Sequence, residues 1–102
     1  MSRPEKLSEA DYKTALEELP EWTEMMTGEA ITRTFKFKNF VEAIGFMTQI
    51  ALVAERMDHH PEWSNVYGTV KVELTTHDAN GLTELDVKLA KAMDRVAAKL
   101  MN

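Results

Sequence analysis

Three histidines occur in the chain, and two of them are adjacent. They stand in the run Asp58-His59-His60-Pro61-Glu62-Trp63, and the third, His77, comes seventeen residues after His60. Imidazole, with an ordinary pKa of about 6.5, is the side chain that most readily gives or takes a proton near neutrality. The run is therefore a candidate for proton transfer. Pro61 disfavours helix at His60 and pushes it towards extended backbone. Extended neighbours point to opposite sides, so His59 and His60 should diverge. Diverging rings suit two separate tasks better than one shared ion. A three-histidine zinc site is the rival; the divergence argues against it, and no metal is expected.

The segment between this run and His77 indicates where the third ring goes. Trp63–Tyr67 and Val70–Thr76 alternate aromatic or β-branched residues with polar ones around Gly68. That is the pattern of a β-hairpin. A two-residue loop at Gly68-Thr69 would set Tyr67 against Val70, Trp63 against Leu74 and His60 against His77. A slip of one residue would still bring the three rings to one end of the hairpin.

The remaining elements must hold that end in place. Ser8 is placed to cap a first helix, with Asp11 at the third position and Leu7 and Tyr12 as a hydrophobic staple. Tyr12, Ala15, Leu16 and Leu19 form its apolar stripe, and Pro20 ends it. Two strands are expected at Trp22–Met26 and Ala30–Lys38. In the second, Ile31, Phe35 and Phe37 share a face with Arg33. Asn39 opens a central helix, with Glu42 as the reciprocal cap. Its two stripes (Phe40, Ile44, Met47, Ala51, Ala54 and Phe46, Ile50, Val53, Met57) cover about 180°, wider than the ~100° a surface helix needs. Part of that arc is read as facing another subunit. Thr83 caps the last helix, with Asp86 at its third position and Leu82 and Val87 as a staple. Leu85, Leu89, Ala92, Met93, Val96 and Leu100 form its expected buried stripe.

The order helix, two strands, helix, two strands, helix predicts an α+β domain over residues 1–102. Its simplest form is a four-stranded antiparallel sheet with three helices on one face. The formal charge of −5 leaves no basic footprint for direct nucleic-acid binding. The chain has no cysteine, which removes disulfides and thiolate metal sites and fits a reducing compartment. No apolar segment is long enough to span a bilayer, and the polar first residues do not read as a signal peptide. A cytoplasmic protein is the expectation.

The run Glu55-Arg56-Met57-Asp58-His59-His60-Pro61-Glu62-Trp63, then Asn65-Val66-Tyr67, Thr75-Thr76-His77, Gly81-Leu82 and Asp86, closely resembles the pterin-4a-carbinolamine dehydratase family. The likeness extends back through Gly45-Phe46-Met47-Thr48 and covers residues from about Ile31 onwards. One departure is Ala79, where several animal members carry cysteine. The resemblance implies the same α+β fold, assembly into a homodimer or homotetramer, and no cofactor. It implies removal of water from 4a-hydroxytetrahydropterin to give quinonoid dihydropterin, which recycles the pterin of aromatic amino-acid hydroxylases. It also implies the roles: His59 and His77 as the acid–base pair on the two faces of the pterin, and His60 chiefly holding substrate. Asp58, Thr75, Thr76 and Asp78 match pocket-lining positions, Glu55 is placed to orient a histidine, and Pro61 and Trp63 adjoin the pocket. Asp86 reads first as a helix cap, with a secondary role at the pocket.

Each assignment has a plainer competitor. His59 and His60 could be solvated loop residues, Trp63 a core residue and Glu55 an ordinary helix-surface charge. The resemblance also implies a second class of function. Mammalian relatives bind a homeodomain transcription factor, and some distant ones are assembly factors without activity, so a protein partner is the alternative. The complete histidine set favours the enzyme, since a binding module has no use for a His59/His77 pair.

Overall fold

The three expected caps are all in place. In the computed structural model, which describes residues 4–25 and 28–101, the Ser8 hydroxyl accepts from the Asp11 N–H at 3.1 Å. That opens helix α1, Glu9–Glu18. Asn39 caps α2, Phe40–Met57, by accepting from the Glu42 N–H at 2.9 Å. Glu42 reaches back one residue further than expected, to the Lys38 N–H at 3.1 Å. Helix α3, Glu84–Met101, starts at Thr83. The Leu7 N–H donates to the Leu82 carbonyl at 2.8 Å, which ties the start of α1 to the segment entering α3.

Between the helices lie β1 (Thr23–Met25), β2 (Ala30–Lys36), β3 (Glu62–Val66) and β4 (Thr69–Leu74). They form one antiparallel sheet in the order β1-β2-β4-β3. The domain is the α+β arrangement expected, with the helices on one face of the sheet. The expected strand end at Met26 lies outside the described residues. Gly28, at φ 79, occupies the turn into β2. The Tyr12 hydroxyl donates to Glu24 Oε2 at 2.7 Å and fastens β1 to α1. Partial burial and then that carboxylate push the Tyr12 hydroxyl well above its ordinary pKa.

Side chains alternate across the sheet as period-two geometry requires. Ile31, Phe35, Val70, Val72 and Leu74 are buried under the helices, while Thr34, Lys36, Lys71 and Ser64 face away. Phe46 and Ile50 from α2 and Leu89 and Met93 from α3 complete the core. The buried face of α3 is rotated from the expected stripe: Asp86, Ala90 and Ala97 are buried, and Leu85, Val96 and Leu100 are only partly so. Alanines at the centre of a buried helix face allow close packing. On α2, Phe40, Val41, Ile44 and Leu52 remain exposed, Val41 by 77% and Leu52 by 66%. This chain alone leaves that apolar strip uncovered.

The register of the second hairpin differs from expectation. Val66 pairs with Thr69 and Trp63 with Val72, so the loop is Tyr67-Gly68 and the strands are offset by two positions. Tyr67 takes the positive φ, 54. The Asn65 amide bridges the reversal by donating to the carbonyls of Tyr67 and Thr69, both at 2.9 Å. Glycine at 68 serves close approach: a Cβ there would lie 2.6 Å from the Phe37 carbonyl oxygen. A two-residue offset preserves the faces, so Trp63 still lies on the helix side. It does remove the pairing of His60 with His77.

Candidate active site

The C-terminus of α2 sets the two adjacent rings apart. Asp58 ends the helix in the left-handed region (φ 53, ψ 42), and its N–H returns to the carbonyls of Ala54 and Glu55. Aspartate tolerates that conformation better than most residues. The His59 N–H also bonds the Ala54 carbonyl, at 3.0 Å. After this tight exit the His59 side chain is 10% exposed and the His60 side chain 58%. The neighbours differ in surroundings as their divergence on the sequence implies.

His59 meets the start of α3. Its Nε2 lies 2.6 Å from Oδ1 of Asp86, which is fully buried. The other oxygen, Oδ2, accepts from the Thr76 hydroxyl at 2.7 Å and the Thr83 N–H at 3.0 Å. Asp86 thus performs both tasks considered for it, capping α3 with one oxygen and holding a histidine with the other. Burying a carboxylate is costly unless its lone pairs are engaged, and here three donors engage them. Among the described residues no buried side-chain nitrogen or oxygen lacks a partner.

The other two rings are solvated and carry carboxylates of their own. His60 Nε2 is 2.9 Å from Glu55 Oε1, one helical turn back on α2. His77 opens a short 3₁₀ turn, His77–Ala79, directly after Thr76. Its Nε2 lies 3.6 Å from Glu62 Oε2 at the start of β3. One end of the sheet therefore gathers His59, His60, His77, Glu55, Thr76 and Asp86, with Pro61 partly buried at the entry to β3. Asp58 is exposed at the helix end and Asp78 is exposed in the 3₁₀ turn. Trp63 packs against the core. The Thr75 hydroxyl, just past β4, donates to the Glu29 carbonyl at 2.6 Å. No group of three or more histidine, cysteine or carboxylate side chains among the described residues is arranged to hold a metal ion.

Two participants were absent from the sequence-based site. Glu62 is beside His77, and Thr83 supplies a donor to Asp86 in addition to its capping role. The Thr83/Asp86 spacing was visible as a capping pattern, but Glu62 and His77 are far apart along the chain and meet only through the fold.

With Nε2 of His59 engaged by Asp86, Nδ1 is the ring's other nitrogen. One sheet end thus brings together a nearly buried imidazole on a buried carboxylate and two solvated rings, side chains whose chemistry includes proton transfer. The chain matches the family model for pterin 4 alpha carbinolamine dehydratase over residues 5–96, a match that includes α1 as well as the histidine region. It is 58% identical over 93 residues to a provisionally named pterin-4-alpha-carbinolamine dehydratase of Nitrobacter winogradskyi, covering 91% of this chain and 92% of that one. A similarly named protein of Afipia carboxidovorans is 59% identical over 93 residues, covering 91% and 93%. A solved transcriptional coactivator/pterin dehydratase from Brucella melitensis superposes with a TM-score of 0.86 at 52% identity, covering 90% of this chain and 98% of that one. A pterin dehydratase-like RuBisCO assembly factor of the alpha-carboxysome shares the fold at TM-score 0.66 and 20% identity, over 76% and 89%. The chain belongs to the pterin-4-alpha-carbinolamine dehydratase family.

Proposed function

We propose that the protein dehydrates 4a-hydroxytetrahydropterin to quinonoid dihydropterin, recycling the pterin used by aromatic amino-acid hydroxylases, with His59 and His77 exchanging the protons. The observation that carries this reading is the 2.6 Å pairing of a nearly buried His59 with a fully buried Asp86. In the reaction the C4a–O bond breaks, the departing hydroxyl takes a proton and leaves as water, and N5 loses its hydrogen as the N5–C4a double bond forms. One ring supplies a proton and another removes one. His59 works at Nδ1, because Asp86 occupies Nε2. When that ring is cationic, Asp86 stabilises it. Positioned proton transfer of this kind contributes about 10²–10⁴ in rate. His77, exposed beside Glu62, is open to exchange protons with solvent, and His60 with Glu55 binds the pterin. Asp58, Thr76 and Asp78 stand around the same end of the sheet, and the Thr75 hydroxyl is engaged by the Glu29 carbonyl.

The test is steady-state dehydration of chemically generated 4a-hydroxypterin, with each 4a stereoisomer measured separately. His59→Ala and His77→Ala should each lower kcat more than they raise KM, the mark of an interaction made mainly in the transition state. Each should also favour one isomer if the rings serve opposite faces. Near-normal kcat in both variants would end the proposal.

The exposed apolar side chains of α2 support a homodimer or homotetramer, in which a second copy would cover them. Light scattering should return a multiple of 11.6 kDa at micromolar concentration; a monomer mass across concentrations would refute assembly. The same strip is what a non-catalytic binding module would use, and that reading takes over if wild-type protein shows no dehydration. No helix among the described residues is long and apolar enough to cross a membrane.

A further inference from the structure

Asp86 is gripped by two threonines, and counting hydrogens gives that grip a direction. Thr76 has a single hydroxyl hydrogen, and the carboxylate oxygen 2.7 Å away accepts it. The 2.9 Å contact between the Thr76 and Thr83 hydroxyls must then use the hydrogen of Thr83. Thr83 Oγ1 in turn accepts from the Leu85 N–H at 3.2 Å. The chain runs one way, from Leu85 N–H through Thr83 and Thr76 to Oδ2 of Asp86, and Oδ1 faces Nε2 of His59 at 2.6 Å. The Thr83 N–H adds a second hold on Oδ2, at 3.0 Å.

Thr76 is 8% exposed, and Thr83 and Asp86 are 0% exposed, so bulk water does not stand in for a lost hydroxyl. Hydrogen bonds aligned head to tail polarise one another. This chain also starts in the first turn of α3, where the peptide dipoles present their positive end. Two donors on Oδ2 hold the carboxylate in place for the ring at its other oxygen.

We propose that Thr76 and Thr83 are positioning residues that set the Asp86 carboxylate, and through it the tautomer and orientation of His59. The kinetic part of this proposal rests on the dehydratase reading; the tautomer part does not. Thr76 acts through Asp86 and need not touch the pterin.

The first measurement uses wild-type protein with 15N-labelled histidine, and NMR reads the ring nitrogens. Neutral His59 should carry its hydrogen on Nε2; a hydrogen on Nδ1, or an even mixture, overturns the proposal. The second uses Thr76→Val, which keeps the shape and removes the hydroxyl. His59 should become a tautomer mixture and kcat should fall about 10-fold with KM within about twofold, the scale lost when groups orienting a working histidine at metal sites are removed. Thr76→Ser, which keeps the hydroxyl, should restore both. An unchanged tautomer in Thr76→Val overturns the proposal, as does a raised KM at normal kcat, which would make Thr76 a substrate contact. Thr83→Val should show the same pattern, and an unchanged ring there would remove Thr83. Should wild-type protein fail to dehydrate the pterin while the tautomer results hold, the functional reading falls and the positioning chain stands.

Discussion

Helix α3 carries two carboxylates into polar clusters, and the clusters differ in what their donors can do. Asp86, in the first turn, meets His59, the Thr76 hydroxyl and the Thr83 N–H. Asp94, two turns on, accepts through Oδ1 from Arg33 Nη1 at 2.6 Å and from Trp22 Nε1 at 2.9 Å. The Arg33 guanidinium also lies 4.3 Å from the centre of the Phe35 ring. Arginine and indole do not release protons in the working range of a protein. The Asp94 cluster therefore fastens β2 to α3 through donors that keep their hydrogens. Histidine can give up or take a proton near neutrality, which is what the proposed function asks of the Asp86 cluster. Partner identity separates the two clusters and hydrogen-bond length does not; burial differs as well, the Asp86 side chain being 0% exposed and the Asp94 side chain 27%.

Asp86→Asn tests that distinction most severely. Asparagine keeps the shape but replaces one acceptor by a donor. Turned one way, its amide faces the His59 nitrogen and forces the ring hydrogen to Nδ1. Turned the other way, it confronts the Thr83 N–H and the Thr76 hydroxyl, leaving buried donors unmatched. The expected result is a kcat lower by about 10²–10⁴, with a stability loss of about 1–3 kcal/mol. Steady-state dehydration and thermal unfolding measure the two together. A kcat near wild type would mean that the Asp86 cluster is as structural as the Asp94 one.

Arg33→Met is the converse. It keeps an aliphatic stem near Phe35 and leaves Asp94 with the Trp22 indole alone. Stability should fall by about 1–3 kcal/mol, read from denaturant unfolding, while kcat stays within about twofold. A loss of kcat in protein shown to be folded would tie the Asp94 cluster to catalysis and dissolve the contrast.

His60 gives a smaller effect. Its ring is exposed and paired with a still more accessible Glu55 at 2.9 Å, so on the proposed reading its removal costs one solvated contact to the substrate. His60→Ala should raise KM about fivefold, corresponding to about 1 kcal/mol of binding, with little change in kcat. A kcat drop matching that of His59→Ala would show that burial against Asp86 is not what makes a ring essential here.

How much of the molecule was legible in the sequence depends on chain separation. Ser8 with Asp11, Asn39 with Glu42 and Thr83 with Asp86 are three residues apart, and local geometry alone makes such partners meet. The α+β order and the gathering of histidines at one sheet end were also readable from pattern. The hairpin register was not, because it turned on Gly68 being required for clearance from Phe37, a residue on another strand's extension. Nor could the pattern show Thr75 bonded to the Glu29 carbonyl across 46 residues. The Asp86 network combined both cases. Its capping half was readable, whereas its half facing His59, 27 residues away, depended on how α2 and α3 pack. Arg33, the odd member of an apolar face, announced that it needed a partner without naming Asp94.

The smallest expected effect is none at all, and it bears on the same contrast. A metal needs lone pairs from several ligands converging on one point. Here His59, His60 and His77 each direct Nε2 at a different carboxylate: Asp86 on α3, Glu55 on α2 and Glu62 on β3. Those carboxylates stand on three separate elements, so closing the rings around an ion would mean abandoning all three pairings, including the one in the core. Proton transfer needs no such convergence, since each ring acts alone. Activity should therefore survive exhaustive dialysis against EDTA, and elemental analysis of the active protein should find no stoichiometric zinc. Loss of dehydration on chelation, restored by added zinc, would replace the proton-handling account of the Asp86 cluster with one in which that carboxylate supports a metal ligand.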